Sequence, residues 1–186
     1  MKSFEEVYEI VKETLSPKRF EHCINVMDRC IEFAKIFGED IEKAKLIGIA
    51  HDIAKEIPRD KRVECAEKDG VILTDFEKEN TSLVHAKHGA VICKRDFDFT
   101  EDMCEAIAAH TTGKVGMTKL AKILYLADYS EIGRDFKEAQ EAYEIGKKDL
   151  EEGYFVALTG KIYFTMVDKR AICQDSIDAY NELVSK

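Results

Sequence analysis

Apolar residues recur at three- and four-residue spacing along almost the whole chain, and no segment shows a convincing alternation of period two. The first stripe, Phe4, Val7, Tyr8 and Val11, predicts a helix over about 3–14 that packs on the body of the protein. Ser16-Pro17 then pairs a helix-capping hydroxyl with a proline at the first helical position. The helix it opens carries Phe20, Ile24, Met27, Ile31 and Ala34 before stopping at Gly38. A third helix is expected over about 40–56, ending ahead of Pro58. It is apolar on nearly every side between Leu46 and Ala54, which places it centrally.

A short helix follows at about 59–69, and Thr74 with Glu77 forms a capping-box pattern for another short turn. Ser82 is placed as the cap of a helix reaching about Arg95. Thr100, followed by Glu101 and Asp102, opens a helix that ends at His110-Thr111-Thr112-Gly113. Residues 117–129 carry Leu120, Leu124 and Ala127 on one stripe, and helices at about 136–146, 149–168 and 173–184 finish the pattern. The C-terminal apolar positions Leu158, Ile162, Phe164 and Met166 are assigned to the core. With no linker, repeat or low-complexity segment, the expectation is an all-α, non-symmetric helical bundle forming a single domain over 1–186.

Composition agrees with that class. Only two prolines interrupt a chain rich in Glu, Lys, Ala, Ile and Leu. Apolar residues at 45% and charged residues at 35% are ordinary for a globular protein with a core. A net charge of −9 argues against a general nucleic-acid binder but leaves room for a phosphorylated small molecule held by local cations and a metal. The first residues lack the basic and apolar regions of a signal peptide, and no apolar run is long enough for a membrane span, so a cytoplasmic location is expected. Cys23, Cys30, Cys65, Cys93, Cys104 and Cys173 form no CxxC pair and read as reduced thiols rather than a disulfide framework.

The apolar run of the third helix is broken at one place, by His51-Asp52. A carboxylate there is expensive to bury unless something compensates it. His110 continues the inward stripe of Ala106 and Ile107, and Asp128 that of Ala121 and Leu124. A lone inward histidine is ordinarily a hydrogen-bonded core residue. Several inward polar groups on separate helices point instead to one shared ion, as helical bundles hold between facing helices. Imidazole and carboxylate without thiolate suit Fe, Mn, Co, Zn or Ni. An ion with open positions can activate water and polarise a phosphoryl oxygen. Arg19 lies one turn before His22 and Lys55 one turn after Asp52, with Arg134 six residues beyond Asp128, so cations flank the ligands; Lys114, after the His110 turn, is a weaker candidate.

These segments carry a family resemblance. Arg19-Phe-Glu-His22, Ala50-His51-Asp52-Ile-Ala-Lys55, Leu83-Val-His85, Ala109-His110-Thr111-Thr112-Gly113, and Leu126-Ala127-Asp128 with Arg134-Asp-Phe136 resemble, in order and spacing, the HD-domain phosphohydrolases and within them the YqeK-type subfamily. The likeness is close over about 16–136. It implies an HD-domain helical bundle and the symmetrical hydrolysis of diadenosine tetraphosphate to two ADP by metal-activated water. It also implies His22, His51, Asp52 and Asp128 as metal ligands, with iron the common occupant and Mn, Co or Ni acceptable. Arg19, Lys55 and Arg134 fall at phosphate-contacting positions, and His85, His110 and Thr111 on the nucleotide side. His85 and His110 are alternatively the holders of a second ion. Asp52, Lys55, His85 and His110 are the residues expected to carry the chemistry.

The chain departs from the subfamily at Tyr129, where a lysine is expected, at Gly133, where a proline is expected, and at Tyr180, where an arginine is usual. His88 has no clear counterpart and is read as structural or as supporting the site from behind its ligands. The rival readings are an HD-type mononucleotide phosphohydrolase (a 5′-nucleotidase or dNTP triphosphohydrolase) and a non-catalytic nucleotide sensor. A purely structural bundle would need every buried imidazole and carboxylate to find a protein partner. The sequence leaves the oligomeric state open, a homodimer included.

Overall fold

The helical periods become eleven helices and no strand among the described residues, 1–185 of this computed structural model. In order they are α1 (Phe4–Thr14), α2 (Pro17–Phe37), α3 (Ile41–Ala50), α4 (Arg62–Lys68), α5 (Asp75–Glu79) and α6 (Val84–Phe97). The remainder are α7 (Glu101–Ala109), α8 (Lys119–Ser130), α9 (Lys137–Gly146), α10 (Leu150–Val167) and α11 (Gln174–Val184). Local chemistry explains several starts. Ser16 caps α2 through the Arg19 amide with Pro17 in the first turn, and Thr74 and Glu77 close a reciprocal capping box on α5. Gly38, at φ 63°, ends α2 in the left-handed region that glycine enters without penalty.

The core is built around α2, α3 and α8. Helix α2 runs along α3 and also against α8, which packs in turn on α7, α9 and α10. Ile47, Ile49, Ile107, Ile123, Leu124 and Leu126 are fully buried in one apolar cluster that also takes Val7 and Val11 of α1. At the C-terminal end Leu158 is buried, Ile162 and Phe164 pack against the same cluster, and Met166 faces solvent. The α2–α3 contact is close enough to need Gly48. A Cβ there would lie 2.6 Å from the Cα of Met27, which is backbone and cannot move aside. Gly48→Ala is therefore expected to cost about 1–3 kcal/mol through overpacking, read as a fall in melting temperature.

Three boundaries differ from the sequence reading. Helix α3 stops at Ala50, not 56, and residues 51–56 form successive turns, with Ile53 N–H donating to Ala50 O and Lys55 N–H to Asp52 O. The apolar run continues through this segment because it is buried, and burial alone cannot distinguish a turn from a helix. Helix α6 begins at Val84 after Leu83, with no side-chain cap, so Ser82 is not its cap. The short helix expected from 59 starts at Arg62. No helix is long and apolar enough to cross a membrane among the described residues, and all six cysteines are free.

Candidate metal centre

Helix ends deliver most of the site. His51 sits at the C-terminal cap of α3 and His110 at that of α7, while His85 lies in the first turn of α6. Each of these imidazoles donates Nδ1–H to a carbonyl three residues back: His51 to Gly48 O at 2.8 Å, His85 to Ser82 O at 2.7 Å and His110 to Ile107 O at 2.7 Å. At α3 and α7 these are carbonyls of the last turn, where accepting capacity is left over. A carbonyl only accepts, so Nδ1 carries the proton and Nε2 presents a lone pair.

Those lone pairs converge. The His51 and His110 ring centroids are 5.0 Å apart, those of His85 and His110 5.1 Å, and those of His22 and His51 5.3 Å. His22 Nε2 lies 3.3 Å from Asp128 Oδ1 and 3.9 Å from Asp52 Oδ2, and His51 Nε2 lies 3.7 Å from the same Asp52 oxygen and 4.0 Å from Asp128 Oδ1. On the other side of the carboxylate, Asp52 Oδ1 is 3.1 Å from His85 Nε2 and 3.5 Å from His110 Nε2. Two groups thus have ligand spacing and share Asp52: His22, His51 and Asp52, and Asp52, His85 and His110.

Three atoms of this cluster, His22 Nε2, His51 Nε2 and Asp52 Oδ1, are buried without a hydrogen-bond partner. Buried polar atoms are seldom left so, and here they are acceptors facing acceptors. A cation satisfies several converging lone pairs at once, where a single neutral donor would reach one or two. The donor set, imidazole nitrogen with carboxylate oxygen and no thiolate, fits a borderline divalent transition metal.

The electrostatics follow from burial. Burial pushes the His51 imidazole down to about 3 and that of His85 down to about 4, with Asp52 opposing both shifts. At Asp52 burial favours the neutral acid, yet the groups around it, the Lys55 ammonium among them, hold the carboxyl well below its usual range. Asp128 behaves likewise, with Lys161 and His22 outweighing burial. His22 moves the other way: burial lowers it, but Asp128 and Glu131 more than compensate.

A stability prediction follows for the metal-free protein. Unfolded histidines take a proton near pH 6.5, whereas folded His51 and His85 refuse one until far lower. Between about pH 6.5 and 4 the unfolded chain binds more protons, so stability is expected to fall with pH across that window, His22 offsetting part of the loss. Thermal denaturation in chelator at several pH values reads it directly.

Cations rim the cluster. Arg19 reaches Asp52 Oδ2 at 3.1 Å, Lys55 donates to His85 Nε2 at 3.1 Å, and Arg134 reaches Asp128 Oδ1 at 3.4 Å. Lys55 and Arg134 border a cavity of about 480 Å³ lined also by Thr111, Asp128, Tyr129, Phe136, Phe164, Lys161 and Arg170. Lys114 stays outside, paired with Glu105. His88 is tied to Asp69 at 2.8 Å, away from the cluster. Tyr180 stacks on Phe155 and packs against the core.

The sequence reading missed Lys161, which donates to Asp128 Oδ2 at 3.0 Å and to His110 O at 2.9 Å. It also missed Glu131, which accepts from His22 Nδ1 at 3.3 Å and Asn25 Nδ2 at 3.0 Å. Neither belongs to a spacing pattern that sequence alone could single out.

Inward histidines and aspartates from separate helices, sharing one carboxylate and rimmed by cations, define the class of HD-type metal-dependent phosphohydrolases. The chain belongs to the HD domain family, whose model matches residues 19–133. That family implies a divalent metal, and the cluster is where one would bind. The symmetrical bis(5′-nucleosyl)-tetraphosphatase of Bacillus subtilis (strain 168) is 35% identical over 184 residues, covering 97% of each chain. The protein of the same description from Halalkalibacterium halodurans is 34% identical, over 95% of this chain and 94% of its own. A crystal structure from Clostridium acetobutylicum, described as a "predicted HD superfamily hydrolase involved in NAD metabolism", superposes with a TM-score of 0.94 at 34% identity, covering 100% of this chain and 98% of that one. The expected all-α HD fold and the family resemblance are both borne out.

Proposed function

We propose that the chain hydrolyses diadenosine tetraphosphate symmetrically, releasing two ADP, with residues 1–186 acting as one catalytic unit. The observation that carries this reading is the charge of the cavity. In a protein of net charge −9, Lys55, Arg134, Lys161 and Arg170 line one space beside the metal cluster, with Asp128 the single acidic residue of its lining. Such a lining suits a polyphosphate. A second, smaller cavity adjoins it and shares Leu83, Thr111, Lys161, Thr165 and Arg170, which extends the cation-lined space.

His22, His51, Asp52 and Asp128 would hold the ion, iron being the favoured occupant with Mn, Co or Ni acceptable to the same donors. When bound, it supplies a nucleophile from water at neutral pH and polarises a phosphoryl oxygen. Asp52 orients the attacking water and accepts its proton. Arg19, Lys55 and Arg134 neutralise charge that builds on the phosphoryl oxygens, and Thr111 lies in the cavity wall to orient the phosphate chain. ADP leaves readily as an anion, because a terminal phosphate has its second ionisation near about 6. His85, neutral because of burial, is therefore not needed as an acid. His85 and His110 instead face Asp52 Oδ1 with lone pairs, of which Lys55 answers one; a second ion would answer all three. The free cysteines suit a reducing, cytoplasmic setting.

Turnover of diadenosine tetraphosphate by chelator-free protein, with added Fe²⁺, Mn²⁺ or Co²⁺ or with EDTA, tests the proposal. ADP as sole product, lost in EDTA, is expected. AMP plus ATP, or an undiminished rate in EDTA, would overturn it. Nucleoside plus phosphate, or tripolyphosphate, from a mononucleotide panel would favour the mononucleotide reading. Elemental analysis of the same preparation identifies the metal and counts the ions.

A further inference from the structure

His22 is anchored unlike the other imidazoles of the cluster. His51, His85 and His110 each lean on a neutral backbone carbonyl. His22 Nδ1 faces a carboxylate, Glu131 Oε1, at 3.3 Å. That carboxylate is 5% exposed and is itself held: Asn25 Nδ2 donates to Oε2 at 3.0 Å and the Gly133 N–H donates to the same oxygen at 2.6 Å. All of its nearest partners are therefore donors, and one oxygen is left for His22. The Glu131 backbone carbonyl also accepts from Arg134 N–H at 2.9 Å, and Arg134 Nε lies 3.6 Å from Oε1. One residue thus joins α2, the turn 131–134 and the cation that faces the cavity.

The turn is fitted to this role at Gly133, where the subfamily resemblance leads one to expect proline. A Cβ on Gly133 would lie 2.9 Å from Glu131 Oε2 and 3.1 Å from Oε1, and a proline would have no N–H to donate. Gly133 leaves the carboxylate room to curl back and gives it a donor.

We propose that Glu131 is a positioning residue: it fixes the His22 imidazole with Nε2 toward the metal, and it ties the placement of Arg134, and so of a substrate phosphate, to that ligand. The inference rests on reading His22 as a metal ligand. A carboxylate behind a ligating imidazole fixes its tautomer and raises its basicity, and loss of such a partner typically lowers metal affinity about 10–100-fold. Because the turn carries both Glu131 and Arg134, metal and phosphate binding assist one another reciprocally.

The test uses full-length protein stripped of metal and titrated with Mn²⁺ or Co²⁺ against a competing chelator, for wild type, Glu131→Ala, Glu131→Gln, Asn25→Ala and Gly133→Pro. Glu131→Ala is expected to lose about 10–100-fold in metal affinity. Glu131→Gln should lose less, since its amide oxygen still accepts from one side, either His22 or the Asn25–Gly133 pair, where alanine offers no acceptor. Asn25→Ala, which only loosens the carboxylate, should lose least, and Gly133→Pro, which crowds the carboxylate and removes its shortest donor, should lose more than Asn25→Ala. At saturating metal, Glu131→Gln should raise KM more than it lowers kcat, the mark of a displaced Arg134 rather than a damaged fold. Glu131→Ala within twofold of wild type would overturn the inference. If that variant fails to fold, folded Glu131→Gln with wild-type metal affinity and KM overturns it equally. Wild-type protein that takes up no ion would sink the metal reading itself, whereas metal uptake indifferent to Glu131 would sink this inference alone.

Discussion

Asp52→Asn is expected to reduce turnover by three orders of magnitude or more and to empty the metal centre. The change is nearly isosteric, so its effect isolates charge. Asp52 is the one residue shared by both groups of ligand spacing, with Oδ2 toward His22 and His51 and Oδ1 toward His85 and His110. An amide replaces one of those acceptor oxygens with an N–H₂ that repels a cation. It also removes the base proposed for the attacking water and releases Arg19, now held at 3.1 Å, from its carboxylate. Loss of one preorganised electrostatic contact at a reacting phosphate typically removes about 10²–10³ in rate; here the ion and the base go together. His51→Ala is the informative companion. It should empty the group around His22 while leaving Asp52, His85 and His110 in place. Kinetics with elemental analysis on both variants reads the outcome. Asp52→Asn retaining wild-type rate, or retaining its full complement of metal, would contradict the proposed role.

Much of this site can be read along the chain, for a physical reason. A helix that buries one stripe forces every residue on that stripe inward, so Asp128 betrays itself by following Ala121 and Leu124, and His110 by following Ala106 and Ile107. Both are buried. The same reasoning extends α3 too far. Residues 51–54 are apolar or buried as expected, but His51 takes the Gly48 carbonyl with its side chain, and the chain turns instead of adding another helical turn. Burial is legible in a sequence; the choice between a turn and a helix inside a buried stretch depends on side-chain bonds that periodicity does not encode. Lys161 and Glu131 escape for another reason. Lys161 acts on Asp128 across 33 positions and Glu131 on His22 across 109, and neither lies on a motif. Lys161 does interrupt the apolar run of α10, as His51-Asp52 interrupts that of α3, but nothing in the run says which partner it meets.

That lysine supports the second large effect. Lys161→Met is expected to lower kcat/KM by about 10²-fold and to destabilise the metal-free protein by about 3 kcal/mol. Its ammonium spans Asp128 Oδ2 and the His110 carbonyl and lies 4.0 Å from the Tyr125 ring, with 24% of the side chain exposed. Burial lowers its pKa from the ordinary lysine value, and Asp128 opposes the shift. Methionine keeps the length and apolar stem but leaves Asp128 Oδ2 and the His110 carbonyl without the donor they share. Breaking a buried pair from one side costs about 3–5 kcal/mol; the lower end applies because water retains some access. For a chain of this size that amounts to about 6–12 °C in melting temperature. The sign of the metal effect then discriminates. A bound cation beside Asp128 replaces part of the lost charge, so the deficit should be larger in EDTA than with Mn²⁺ or Co²⁺. An equal deficit in both conditions would mean that Lys161 supports only the fold. An unchanged melting temperature in EDTA together with wild-type kcat/KM would remove it from the site altogether.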